Sequence, residues 1–130
     1  MGINDIVQEW LNFAEMDLET AQYLSEKIHK PPLEIICYHS HQSAEKYLKA
    51  LIISYNDIPP KTHDLEDLLK ICVNLSNLDF SDIAKECVVL TRYAVQPRYP
   101  LEIHIEESDM RQALKDAEKI REFIKNILQV

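Results

Sequence analysis

Glycine is almost missing from this 130-residue chain; Gly2 is the single one. A phosphate cradle of the Walker type, or a dinucleotide fingerprint, needs several glycines where the backbone must bend tightly or approach phosphate closely, so both are excluded. Any nucleotide site must therefore be made by side chains and helix ends. Long apolar runs are also lacking, and none approaches the length a bilayer-crossing helix requires. MGINDIVQEW carries acids where a secretory leader needs a basic start and an apolar stretch, which leads us to expect a cytoplasmic protein without a membrane role. The three cysteines, Cys37, Cys72 and Cys87, have no CxxC or Cys–His spacing. They are expected to be buried thiols, with no metal and no other cofactor implied. Basic residues are the minority: 14 Lys and Arg against 22 Asp and Glu give a net charge of −8. That argues against broad, charge-driven binding to nucleic acid.

What is present is enough to build one domain. A 46% hydrophobic content supports a core without disulfides, and we expect a single domain spanning 1–130. The organising stretch is CYHSHQSAEKYLKALIISY, Cys37 to Tyr55. Leu48, Leu51, Ile52 and Tyr55 recur at helical spacing, and Cys37, His41 and Ala44 continue that face. Good helix formers fill the run and no Gly or Pro interrupts it. A helix apolar over so much of its girth is expected at the centre of a bundle, and, being broader than one neighbour can cover, is expected to leave surface for a twofold dimer.

Four more helices are expected around it. The first, capped by Asn4 or Asp5, runs to about His29 on a face of Val7, Leu11, Ala14, Leu18 and Ala21, with Trp10 and Leu24 widening it, and Lys30-Pro31-Pro32 ends it. After Asn56-Asp57-Ile58-Pro59-Pro60, Thr62 or Asp64 caps a third, with Leu65, Leu68, Leu69, Cys72 and Leu75 on one side. Asp79 or Ser81 starts a fourth, through about Tyr93, and Ser108 caps the last, with Met110, Ala113, Ala117, Ile120 and Ile124 on its stripe. Short loops favour antiparallel neighbours. Between the last two helices, Pro97 and Pro100 prevent continuous helix, and Leu101, Ile103 and Ile105 alternate with polar residues as an extended segment does. The fold class is all-α: an up-and-down four-helix bundle with an additional short helix and an irregular, Pro-containing loop before the last helix.

WLNFAEMDLETAQYL, CYHSHQSAEKYLKALI, PPKTHDLEDLLK, LTRYAVQPRYP and DMRQALKDAEKIREFI, taken in order, resemble the HEPN domain family. The second and fourth carry the specific likeness. The resemblance implies a helical bundle, commonly a homodimer, in one of two roles. One is the substrate-binding subunit that works with a separate small nucleotidyltransferase in a toxin–antitoxin-like pair. The other is a metal-independent ribonuclease toxin with an Arg-x4-6-His motif.

The candidate residues fall into three sets. His41 and Glu45, one turn apart, could share a metal, or His41 could be a hydrogen-bonded core histidine. Tyr38, Gln42, Lys46 and Lys49 offer an aromatic ring, an amide and two cations along the exposed side of the central helix, suited to a nucleotide or RNA; a solvated edge is the plainer alternative. With His41 they form the expected ligand-binding set, together with Tyr99 and with Arg92 and Arg98, whose guanidinium forks match phosphate oxygens. Arg98 and His104 satisfy the ribonuclease spacing with five residues between them. Extended chain would hold them about 20 Å apart, and Glu102 and Glu106 flank the histidine. The leading expectation is thus a nucleotide- or nucleic-acid-binding accessory domain. The alternatives are a ribonuclease using Arg98 and His104, and an interaction module without a ligand.

Overall fold

The structure is a computed structural model that describes residues 2–95 and 104–130. Five helices account for most of them: α1 Ile3–Lys27, α2 Leu33–Ser54, α3 Leu65–Ser76, α4 Ser81–Thr91 and α5 Glu107–Leu128. No strand occurs among the described residues, so His104 to Glu106 lie in loop, while Leu101 and Ile103 fall outside the description.

Helix α2 is the hub. Ile36, Cys37, Ala44, Tyr47, Leu48, Leu51 and Ile52 are buried, and α1, α3, α4 and α5 all pack against it. Its girth is therefore covered within one chain, so an apolar α2 gives no reason by itself for a second copy. Helix α1 runs antiparallel to α2: the Ser43 hydroxyl donates to the Ala14 carbonyl at 2.8 Å, while Lys49 lies by Trp10 farther down. Glu15 accepts from the Tyr47 hydroxyl and pairs with Arg121 at 3.4 Å, which joins α1, α2 and α5 at one level.

The connection after α2 does something that loop length did not suggest. The His41 ring meets the His63 carbonyl at 2.8 Å, and the Cys72 thiol donates to the Leu48 carbonyl at 3.6 Å. Helix α3 thus starts beside the middle of α2 and runs in the same direction, not antiparallel. Residues 55–64 must therefore return along α2 by about 20 Å, thirteen residues of helix at 1.5 Å each. Pro59 and Pro60 keep this strap extended. Helix α4 then reverses: the Leu65 amide donates to Thr91 Oγ1 at 3.2 Å. Lys119 on α5 reaches Glu86 on α4 at 2.9 Å. The alternation is carried by α1, α2, α4 and α5, and α3 is the additional short helix.

Helix ends differ from expectation by a residue or two. Gly2 caps α1, with its amide donating to Asp5 Oδ2 at 3.2 Å, so Asp5 serves from inside the first turn. The last helix is capped by Glu106 and not Ser108, because Asp109 accepts from the Glu106 amide at 2.9 Å. Asp64 caps α3 as expected, accepting from the Glu66 amide at 2.9 Å. Phe80 occupies the N-cap of α4, with Asp79 Oδ1 accepting from the Ser81 amide at 2.9 Å. With no glycine available for left-handed turns, Lys30, Asn56, Asn77 and Gln129 take positive φ near helix ends. All three cysteines are buried and free; burial pushes each thiol up to about 12.

Candidate ligand-binding cleft

The strap leaves a cleft of about 510 Å³ between itself, the start of α1 and the end of α2. Ile3, Ile6 and Trp10 form one wall, Ile53 another, and Ile58, Pro59 and Pro60 the third. Lys49 and Lys61 bring positive charge to it, and Asp57 one carboxylate. The volume is within the range of small-molecule sites, and the mixture of apolar walls with few polar groups is typical of them. Trp10 also borders a second hollow with Glu9, Phe13 and Lys46. The Lys49 ammonium lies 6.0 Å from the Trp10 ring centre.

A chain of polar contacts holds the strap in place. Glu45, nearly buried on α2, receives Lys49 Nζ at 3.1 Å on one oxygen and faces His63 Nδ1 at 2.8 Å with the other. His41 is wholly buried. Its Nε2 donates to the His63 carbonyl, and its Nδ1 accepts from the Gln42 amide at 3.4 Å. Burial holds its pKa below the ordinary 6.5, against the raising effect of the backbone hydrogen bond and Glu45. His41 is thus a neutral core histidine with both nitrogens engaged, and Glu45 spends its oxygens on other partners. Among the described residues no three His, Cys, Asp or Glu side chains gather as a metal site.

Lys46 makes a second polar knot. Asp17 takes Lys46 on one oxygen and His39 Nδ1 at 3.0 Å on the other. Burial alone would raise Asp17, but these two hydrogen bonds outweigh it and hold the carboxyl below its ordinary value. Tyr38 is half-buried, its ring edge-on to His39 with centres 5.4 Å apart.

A HEPN domain family model matches residues 7–127. The chain belongs to the HEPN family. It is 31% identical to the Methanocaldococcus jannaschii protein named Putative toxin MJ1304, over 89% of this chain and 84% of that one. Among solved structures it resembles TT1696 from Thermus thermophilus, with a TM-score of 0.72 and 24% identity over 92% of this chain and 96% of that one. It also resembles ST0689, described as an archaeal HEPN homologue, with a TM-score of 0.69 and 26% identity over 92% and 95% of the two chains.

Within this HEPN domain the residues singled out from sequence separate. Lys49 is expected from sequence on the exposed side of α2, but only 8% of it is exposed. It borders the cleft, while its ammonium is held on Glu45. Lys46 borders the hollow beside Trp10, whereas Tyr38, His41 and Gln42 sit nearer the start of α2. Arg92 follows α4 and is exposed, next to a half-buried Tyr93. Burial, with the neighbouring Cys37 adding to it, pushes the Tyr93 phenol up to about 12. His104 is exposed, with Nε2 3.6 Å from Glu106 Oε1. Arg98 and Tyr99 lie outside the described residues. Sequence reasoning misses the cleft itself, because Trp10 reads as a widening of the α1 core face. The available signal is Ile3, Ile6, Trp10 and Phe13 at spacings of three, four and three, one row beside the core face.

Proposed function

We propose that this HEPN protein is the nucleotide- or nucleic-acid-binding member of a toxin–antitoxin-like pair, a homodimer that works with a separate small nucleotidyltransferase chain. The observation that carries this reading is the cleft beside Trp10. A base stacks on an indole face irrespective of its identity, and the ammonium of Lys61 at the rim meets phosphate. The likeness to a protein named as a toxin supports the pairing. Tyr38, His41, Gln42, Lys46, Arg92, Arg98 and Tyr99 remain in the proposal as a second ligand-contact region, with His41 acting through its hold on the strap.

Trp10 is the only tryptophan, so its fluorescence reports the cleft directly. Titration with mononucleotides and short single-stranded RNA should quench it saturably. Lys61→Ala should weaken that binding by about 1.5–3 kcal/mol, the worth of a charged hydrogen bond. A signal indifferent to every nucleotide would remove the cleft from the proposal. If binding persists elsewhere, Arg98→Ala separates the loop from the cleft.

The toxin relative also favours a second reading, a metal-independent ribonuclease using Arg98 and His104. There the histidine would move the proton of the 2′-hydroxyl and the arginine would hold the charge developing on phosphate. Cleavage of single-stranded RNA in the presence of chelator, lost alike in Arg98→Ala and His104→Ala, would establish it and displace the first.

A further inference from the structure

The charges that line the cleft limit what it can hold. Lys49 comes with its countercharge, because Glu45 holds its ammonium at 3.1 Å. Lys61 is exposed and enters no ion pair among the described residues. Asp57, also exposed, is the carboxylate of the lining. One cation and one acid therefore face the cavity. The surroundings supply no second cation: Asp5 stands in the first turn of α1, Glu9 borders the adjoining hollow, and Lys46 there is answered by Asp17.

Asp57 is held in a fixed turn. The Tyr55 and Asn56 amides donate back to the Ile52 and Ile53 carbonyls at 3.1 and 2.8 Å, and the Asp57 amide donates to the Ile52 carbonyl at 3.3 Å. Asn56 takes the left-handed φ of 62° that lets the chain turn there. Asp57 Oδ1 accepts from the Ile58 amide at 2.8 Å, which pins the carboxylate. Its Oδ2 has no partner among the described residues. The carbonyl end of α2 lies at the same place, and it too attracts hydrogen-bond donors and repels anions. This end of the cleft suits hydroxyl groups. A phosphate belongs at Lys61, roughly 12 Å farther along the extended strap.

We infer that the cleft takes a free ribonucleoside monophosphate, with its base on Trp10, its ribose hydroxyls donating to Asp57 Oδ2 and its one phosphate on Lys61. The inference rests on the nucleotide-binding reading of the cleft and narrows its substrate class. A carboxylate accepts from a ribose 2′-hydroxyl, a contact that a deoxyribonucleotide lacks. Further phosphates, on a triphosphate or along an RNA chain, meet no further cation and are repelled by Asp57. The net charge of −8 acts in the same direction.

Titration of the full chain with AMP, dAMP, ATP and a short single-stranded RNA tests it, read by Trp10 fluorescence and by calorimetry, at fixed salt with chelator present. AMP should bind about tenfold more tightly than dAMP. It should bind about tenfold more tightly than ATP, and more tightly than the RNA. Asp57→Asn keeps an oxygen for the Ile58 amide and puts an NH2 donor where the unpartnered oxygen stood. It should bring AMP and dAMP within about twofold of each other and should tighten ATP. AMP and dAMP bound alike by the unmodified protein, or a preference that survives Asp57→Asn, would overturn the role of Asp57 and leave a nucleotide cleft standing. ATP or RNA bound more tightly than AMP would overturn the monophosphate, again leaving the cleft. Saturable binding of none of the four would overturn both this inference and the reading beneath it.

Discussion

His41 shows how one side chain can be legible in kind and not in role. Its place on the apolar face of α2 is plain from spacing, but its partner, a carbonyl 22 residues later, depends on a strap whose path spacing does not encode. Because burial keeps the folded pKa below 6.5, the unfolded chain takes up a proton that the folded chain refuses. The sign follows: this contribution to stability is whole above pH 6.5 and is lost as pH falls toward the folded value. The slope from one proton is at most about 1.4 kcal/mol per pH unit. Urea midpoints measured through mildly acidic pH should therefore fall, with Glu45, His63 and Lys49 as the charged neighbours. His41→Gln, able to keep a donor on the His63 carbonyl, should flatten that dependence; an unchanged slope would show the proton goes elsewhere. Glu45 is the harsher site. Glu45→Ala strands a buried Lys49 and should cost about 3–5 kcal/mol, and Glu45→Ala with Lys49→Met should recover most of it.

Among the elements, the helices are readable and the connections are not. Apolar spacing locates all five helices, because one buried stripe must repeat every three or four residues whatever it packs against. Caps slip by one or two positions because several neighbouring Asp, Asn and Ser residues can accept the same amides. The direction of α3 is lost for a different reason. Ten residues between helices are compatible either with a turn or with an extended return, and only the anchoring of His63 on α2 selects the second. The prolines then matter for order more than for contact. Pro59→Gly with Pro60→Gly should lower stability by about 1–2 kcal/mol through the greater freedom of the unfolded strap. Hydrogen exchange over residues 57–63 should quicken well beyond the change in α5. Equal acceleration throughout would mean the strap is no separate unit.

At the scale of the whole molecule, the same helix that makes the sequence interpretable also removes an argument drawn from it. The breadth of apolar surface on α2 suggests a partner chain, yet four neighbours within the chain enclose it. The core is thus complete in one copy, and the apolar surface left over is on the far side of α1, where a sequence scan counts Phe13, Met16 and Tyr23 as ordinary surface residues. Core and outer face should then respond differently. Leu48 has no exposed surface and its helix touches every other helix of the bundle. Leu48→Ala should cost about 2–5 kcal/mol, the lost transfer of the side chain plus the cavity it leaves. Because all the other helices lean on α2, the loss should appear as one transition with a lower urea midpoint and an unchanged slope, compared at one protein concentration. Met16→Glu, by contrast, should leave the midpoint of dilute protein where it was. Two separate transitions in Leu48→Ala would show that α4 and α5 hold together without the hub, which the packing around α2 does not allow.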